Sequence, residues 1–160
     1  MNKLRSLREH LLASVPDLRR DPERLLTFID AGRIRCTATH SLSFEYSYTL
    51  NCILTDYAGH PDAVFVPMLA WLKMNQPDAD DDIVQFEADV LTGTAIDLSI
   101  KLSLTERVQV IDAGDGRLTA THLEEPQPGA WLDDTPLAPI GPRQLYANGE
   151  LITELGTSSG

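Results

Sequence analysis

Polar and apolar residues alternate from Phe44 to Thr55. Phe44, Tyr46, Tyr48, Leu50, Cys52 and Leu54 fall on one side. Glu45, Ser47, Thr49, Asn51 and Thr55 fall on the other, with Ile53 the one apolar member of that second set. A period of two over this length predicts a half-buried β-strand. At about 3.3 Å per residue the strand reaches about 40 Å, so in a small domain it either curves or projects past its own core. Asp56–Pro61 breaks it. Ala63–Asn75 then repeats at helical spacing, with Val64, Phe65, Met68, Leu69 and Leu72 as its stripe. Pro67 has no N–H to donate and disfavours a helical Val66. The helix is therefore expected to begin near Pro67 or to hold it in its first turn, with Trp71 in the core or at an interface.

The rest of the chain supplies flanking elements. Lys3–Val15 is an amphipathic helix with Leu4, Leu7, Leu11 and Leu12 as its stripe, ended by Val15-Pro16. Asp21-Pro22-Glu23 has the chemistry of a second helix start, namely a capping aspartate, proline at the first position and an acid in the first turn. Leu25, Leu26, Phe28 and Ile29 would be its apolar face and Gly32 its stop. Arg33–Thr39 is a short strand. Ile83–Leu91 alternates again, with Val84, Phe86, Ala88 and Val90 on one face. Ala95–Leu104 is a second long strand, with Ile96, Leu98, Ile100, Leu102 and Leu104 on one side. The polar pair Thr105-Glu106 reads as a slip of phase, and so predicts a bulge or bend. Val108–Ile111 and Arg117–Leu123 form a hairpin.

Composition changes at Glu124. Five prolines fall between Glu124 and Pro142, a density that gives an extended linker, with Trp131 in its middle. Asn148-Gly149 between alternating residues is a strong hairpin signal. The expected organisation is an α+β or mixed α/β core over residues 1–123 and a linker over 124–142. A docking hairpin over 143–155 and a loose tail over 156–160 follow. The core combines an N-terminal helical pair, an antiparallel-rich curved sheet with long strands and one central helix packed on it.

Charge and chemistry narrow the function. The net charge is -11, which opposes general nucleic-acid binding and attachment to anionic lipid. It does suit a surface along which DNA passes without being held. No apolar run approaches the roughly 18 residues a membrane span needs, and no secretory segment precedes the first helix, so a cytoplasmic origin is expected. Cys36 and Cys52 read as buried thiols, and no Cys/His spacing points to zinc. Asp78, Asp80, Asp81 and Asp82 form an acidic loop without the glycine and glutamate of a calcium loop. There is no phosphate loop or nucleophile elbow, and the four histidines are scattered. No cofactor, metal or catalytic residue is expected.

Four blocks carry a resemblance. Ser41–Tyr57 is one. Val66–Leu72 followed by Asn75–Asp78 is the second. Asp97–Ile100 with Leu104–Arg107 is the third, and Leu145–Leu151 is the fourth. In this order they resemble the R tail-completion protein family of P-two-like contractile-tailed phages. The resemblance implies a structural protein of the virion or of a prophage-derived tail that finishes the tail at its head-proximal end. It implies assembly in the host cytoplasm and, by analogy with tail terminators, a homo-oligomeric ring of six subunits. The implied partners are the tail tube, the sheath protein and the head–tail connector, with DNA passing through the ring. Tyr46, Tyr48, Trp71, Trp131, Leu145, Tyr146, Asn148, Gly149 and Leu151 are candidates for subunit or tail contacts. Glu45, Asp97 and Lys101 are candidates for a lumenal face. A transient tail-assembly adaptor or chaperone, and a small metal-dependent hydrolase using Asp80 and Asp81, are the rival readings.

Overall fold

The computed structural model describes residues 1–36, 40–126 and 143–155. The expected linker beyond Pro126, Trp131 within it, the end of the Arg33–Thr39 strand and the 156–160 tail lie outside the described residues. The described elements are α1 (Asn2–Ser14), α2 (Pro16–Arg20), a 3-10 turn (Pro22–Arg24), β1 (Leu25–Cys36), β2 (Phe44–Tyr57), α3 (Asp62–Asn75), β3 (Val84–Thr92), β4 (Ala95–Asp112), β5 (Leu118–His122), β6 (Arg143–Ala147) and β7 (Glu150–Leu155). The chain is α+β, as expected from its two periodicities.

β1, β2, β4 and β3 lie side by side in that order, each antiparallel to its neighbour. One row across the sheet reads Ile29, Leu50, Leu102, Val84. Leu50, Cys52, Leu54, Leu98, Ile100 and Leu102 are buried on this face. Leu7 and Leu11 of α1 and Val64, Met68 and Leu72 of α3 close over it in one core. The opposite face carries Glu45, Ser47, Thr49, Ser99, Lys101 and Ser103. Asn51 also lies on that face, buried, and its Nδ2 has no partner among the described residues. Burial pushes the Cys52 thiol up to about 12, which leaves it inert. Cys36, expected to be buried, is exposed at the free end of β1, because no helix covers that end.

Two expectations are corrected near the N-terminus. The helix expected from Asp21 is absent. Asp21-Pro22-Glu23 opens only a single 3-10 turn, and Leu25–Cys36 is a strand paired with β2 along almost its whole length. The edge of β2 needs a partner for its N–H and C=O groups, and Thr27, Phe28 and Ile29 suit a pleated surface better than a helix. The second helix of the N-terminal pair is instead α2, opened by Pro16 at its first position.

Pro67 is the third correction. It lies in the second turn of α3, not the first, since the helix starts at Asp62 after Pro61. The donor missing at Pro67 costs one helical bond near the N-terminus, where the earlier turn is already held by Val64 and Phe65 donating to the Pro61 carbonyl. The Pro67 carbonyl accepts from His10 Nε2 at 3.0 Å, which ties α3 to α1. Burial holds His10 below its ordinary value, which favours the neutral ring that this bond uses.

Candidate functional site

The two longest strands outrun the helices. Beyond the Tyr48–Leu104 pair, β4 continues through Asp112, still paired with β2 as far as Phe44–Val108 and then with β5. β1 accompanies them, exposed from Asp30 to Cys36. Val108 pairs with Phe44 on one side and His122 on the other, so β5 lies along the same edge of β4 as β3, further on. The sheet therefore projects past its core, one of the two outcomes that the length of the alternating pattern allows. Phe44 and Tyr46 meet edge to face at 4.9 Å on the projection, and Tyr46 stacks on the His122 ring. Ile34, Ile111 and Leu118 are exposed on it.

A carboxylate anchors the base of the projection. Glu106 takes an inward position on β4 between Leu104 and Val108 and is 4% exposed. The expected bulge is absent, because β4 keeps register with β2 from Leu98 through Val108. The residue read as a slip of phase is in phase, and is the one charged member of the row from Ile96 to Val110. Its oxygens accept from the backbone N–H groups of Asn2 at 2.9 Å and Lys3 at 3.1 Å, and from the Tyr48 hydroxyl. His122 Nδ1 lies 3.0 Å from Oε2. The first turn of α1 exposes unpaired N–H groups and the positive end of the helix dipole. Met1 gives no side-chain cap, so a strand residue more than a hundred positions away fills that role. Burial pushes the Glu106 carboxyl up. The bonds from Tyr48, Asn2 and Lys3, with the nearby amino terminus, outweigh burial and hold it below its ordinary value. Burial and the same carboxylate push Tyr48 well above the ordinary phenol value.

A second polar cluster fills a gap along β4 between β3 and β5. Gln76, just past α3 and 5% exposed, accepts from the Thr105 backbone N–H at 3.1 Å and from Lys3 Nζ at 2.8 Å. Its amide donates to Thr105 Oγ1 and Asp78 Oδ1. Lys3 also pairs with Glu125 at 3.0 Å, both side chains being largely buried. Glu125, placed in the linker by composition, is thus tied to the core. Gln76→Ala leaves the Thr105 N–H and a buried ammonium short of partners. A loss of about 1–3 kcal/mol is expected, measurable by urea unfolding.

The candidate contact residues separate into two groups. Tyr48 and Trp71 are buried within the subunit. The Tyr48 hydroxyl is spent on Glu106, and Trp71 Nε1 donates to Ser6 Oγ at 3.0 Å. Neither presents a free surface, because α1 covers both. Tyr46 sits on the projection. Leu145, Tyr146, Asn148, Gly149 and Leu151 belong to the β6–β7 hairpin, whose turn has positive φ at Asn148 and Gly149 and matches the Asn-Gly signal. Tyr146 and Leu151 pair across the strands and are both exposed. β7 lies against α2 and α3, with Leu155 buried.

Glu45, Asp97 and Lys101 share the polar sheet face. Glu45 lies 3.5 Å from Arg35. Asp97 accepts from the Asp56 N–H at 2.8 Å, holding the irregular end of β2 where Asp56 has φ 56. Lys101 stands exposed between Asn51 and Gln85. No three His, Cys, Asp or Glu side chains among the described residues converge as a metal site would require, the acidic loop included. No helix among them is long and apolar enough to cross a membrane.

Residues 1–126 match the family model described as P2 phage tail completion protein R. The chain belongs to that family. It is 41% identical over 160 residues to "Tail completion protein R" of Escherichia phage P2, an alignment covering 96% of this chain and 98% of the relative. No solved structure matches it. Membership makes it a structural tail protein of the phage P2 kind. The family match ends at Pro126, just after the Glu125 pair that ties the last described core residues to α1.

Proposed function

We propose that this chain completes the phage tail by capping its head-proximal end as a closed ring, offering one face to the tube and the other to the head connector. The observation that carries the reading is the sheet that runs past its own core. A 14-residue β2 and an 18-residue β4 are longer than this core needs, and the projecting end of the sheet leaves Ile34, Ile111 and Leu118 exposed. Apolar surface built on a stiff, hydrogen-bonded extension marks a contact surface. A head-to-tail contact closes into a ring when its rotation closes, and an acidic subunit lets DNA pass without gripping it.

Solution mass across a concentration series, with negative-stain images of the protein alone and mixed with tail tubes, tests the reading. A closed ring at tube ends supports it. A subunit that stays monomeric, leaves tube ends bare and is absent from finished particles overturns it in favour of a transient adaptor.

The hairpin is the second contact element, presenting Tyr146 and Leu151. Asn148→Pro forces φ to about −65° where the turn needs a positive value. It is expected to weaken capping of tubes while leaving the main melting transition of the subunit in place. A drop in subunit melting as large as the loss of capping places the hairpin within the subunit's own stability instead.

A further inference from the structure

The last two turns of α3 leave an apolar groove open beside them. Leu69, Leu72, Lys73, Pro77, Ala79 and Ile83 line it, and its volume is about 420 Å3. Leu69 is 48% exposed there. One turn earlier on α3, Phe65 meets Phe86 of β3 with ring centroids 5.0 Å apart, and Phe86 is 59% exposed. The groove thus opens into an apolar strip between α3 and β3. Contiguous bare apolar surface marks a contact site.

The course of the chain names the occupant. Gln76 closes one end of the groove. Lys3 Nζ reaches both Gln76 Oε1 at 2.8 Å and Glu125 Oε1 at 3.0 Å. The chain therefore leaves the described core at Pro126, beside the groove. It returns at Arg143, which pairs with Leu155, and β7 lies against α2 and α3. The contacts Lys3–Gln76, Ser6–Trp71 and His10–Pro67 run α1 antiparallel to α3. So α2, beyond the last turn of α1, sits by the first turn of α3. Residues 127–142 have to pass from the last turn of α3 towards the first, about 21 Å for a helix of 14 residues. At about 3.3 Å each when extended, they have more than twice the length required. The slack lets side chains be set into the groove on the way.

Composition and charge agree. Trp131-Leu132 is the one adjoining pair of large apolar residues between Pro126 and Arg143. Trp131 lies within about 17 Å of Pro126 along the chain, and the groove runs back about 10 Å from Gln76 to Leu69. Asp133 and Asp134 follow the pair directly. Lys73, on the wall of the groove, is exposed and has no acidic partner among the described residues. An apolar slot with an ammonium at its rim matches an apolar pair with carboxylates next to it.

We infer that Trp131 and Leu132 seat in the α3 groove of their own subunit, with Asp133 and Asp134 facing Lys73. Residues 127–142 then run along α3 and hold the β6–β7 hairpin, with Tyr146 and Leu151, at a fixed place on the helix layer. The contact lies within one subunit, so it stands whether or not subunits close into a ring.

Tryptophan fluorescence tests it. The chain has two tryptophans, so Trp71→Phe leaves Trp131 as the single emitter. Its emission is expected to be blue-shifted, and acrylamide to quench it several-fold more weakly than when Leu69→Glu is added. That substitution puts a carboxylate in the groove, against Asp133 and Asp134. Lys73→Glu is expected to raise quenching as well, and Asp133→Lys with Asp134→Lys added to it to lower quenching again. Leu69 and Lys73 are exposed, so melting curves should stay close to that of the parent chain. If Trp71→Phe does not fold, the difference between the wild type and Trp131→Phe reads the same signal. Water-like emission from Trp131 in the intact chain overturns the contact. So does a shielded Trp131 that Leu69→Glu leaves shielded, since the ring is then buried elsewhere. A blue shift that persists at dilutions where light scattering reports a monomer supports the contact within one chain. One that vanishes on dilution gives the groove to Trp131 of a second copy, and overturns it.

Discussion

Glu106→Ala is expected to destabilise the subunit by about 3–5 kcal/mol, the range for breaking a buried charged partnership from one side. The loss comes from what is left behind. The Asn2 and Lys3 N–H groups, the Tyr48 hydroxyl and His122 all address this one carboxylate, and none reaches a replacement when it is removed. At roughly 2–4 °C per kcal/mol for a chain of this size, the melting midpoint should fall by about 10 °C. Hydrogen exchange should rise first in the opening turn of α1, which loses its only side-chain cap. Glu106→Gln keeps the shape but brings an NH2 against donors, and should lose less.

The pH dependence has a fixed sign. A carboxyl held low in the folded chain and near 4.5 when unfolded binds more protons in the unfolded state between those values. Its contribution is full above about pH 4.5 and is lost as pH falls through the folded value. Urea unfolding between pH 7 and pH 3 should show this limb in the wild type and a flatter one in Glu106→Gln. Equal slopes would remove Glu106 as the titrating anchor.

The parts of the fold legible in the sequence are those where one periodicity acts alone. The alternation of β2 was readable because inward residues are apolar and outward ones polar for the nine positions from Phe44 to Cys52. The Asn148-Gly149 turn was readable because only residues that tolerate positive φ serve there. Residues Asp21–Gly32 misled because local helix chemistry and a strand-compatible run overlap, and the choice belongs to the unpaired edge of β2, a partner from a later stretch of the chain. Glu106 was hidden by the rule that inward positions are apolar. The rule failed where a helix N-terminus needs an anion, and the even-numbered row Ile96 to Val110 held the clue, since its period never breaks. Tyr48 and Trp71 show the same limit. Aromatic residues suit cores and interfaces equally, and only the placement of α1 decides between them. Which strands end the sheet was not legible, since strand order is a tertiary fact.

Trp71→Ala should cost about 3–5 kcal/mol in the isolated subunit, with no assembly needed to reveal it. Trp71 is 4% exposed in the helix layer of the core, where α1 meets α3. Its ring packs in the cluster that includes Leu7, Leu11, Met68 and Leu72, and its Nε1 reaches Ser6 on α1. Deleting the ring opens a cavity that two helices pinned to one sheet cannot close. Trp71→Phe and Ser6→Ala separate the terms. Phenylalanine keeps most of the volume and forfeits the bond to Ser6, and Ser6→Ala forfeits the bond alone, so about 1 kcal/mol is expected for the latter. The comparison that matters is between monomer melting and ring formation. A core residue lowers the first, and lowers the second only through the folded fraction. An interface residue leaves the first unchanged. If Trp71→Ala melts like the wild type and yet fails to cap tubes, the ring contact reaches into the helix layer, and α1 must move aside when subunits meet.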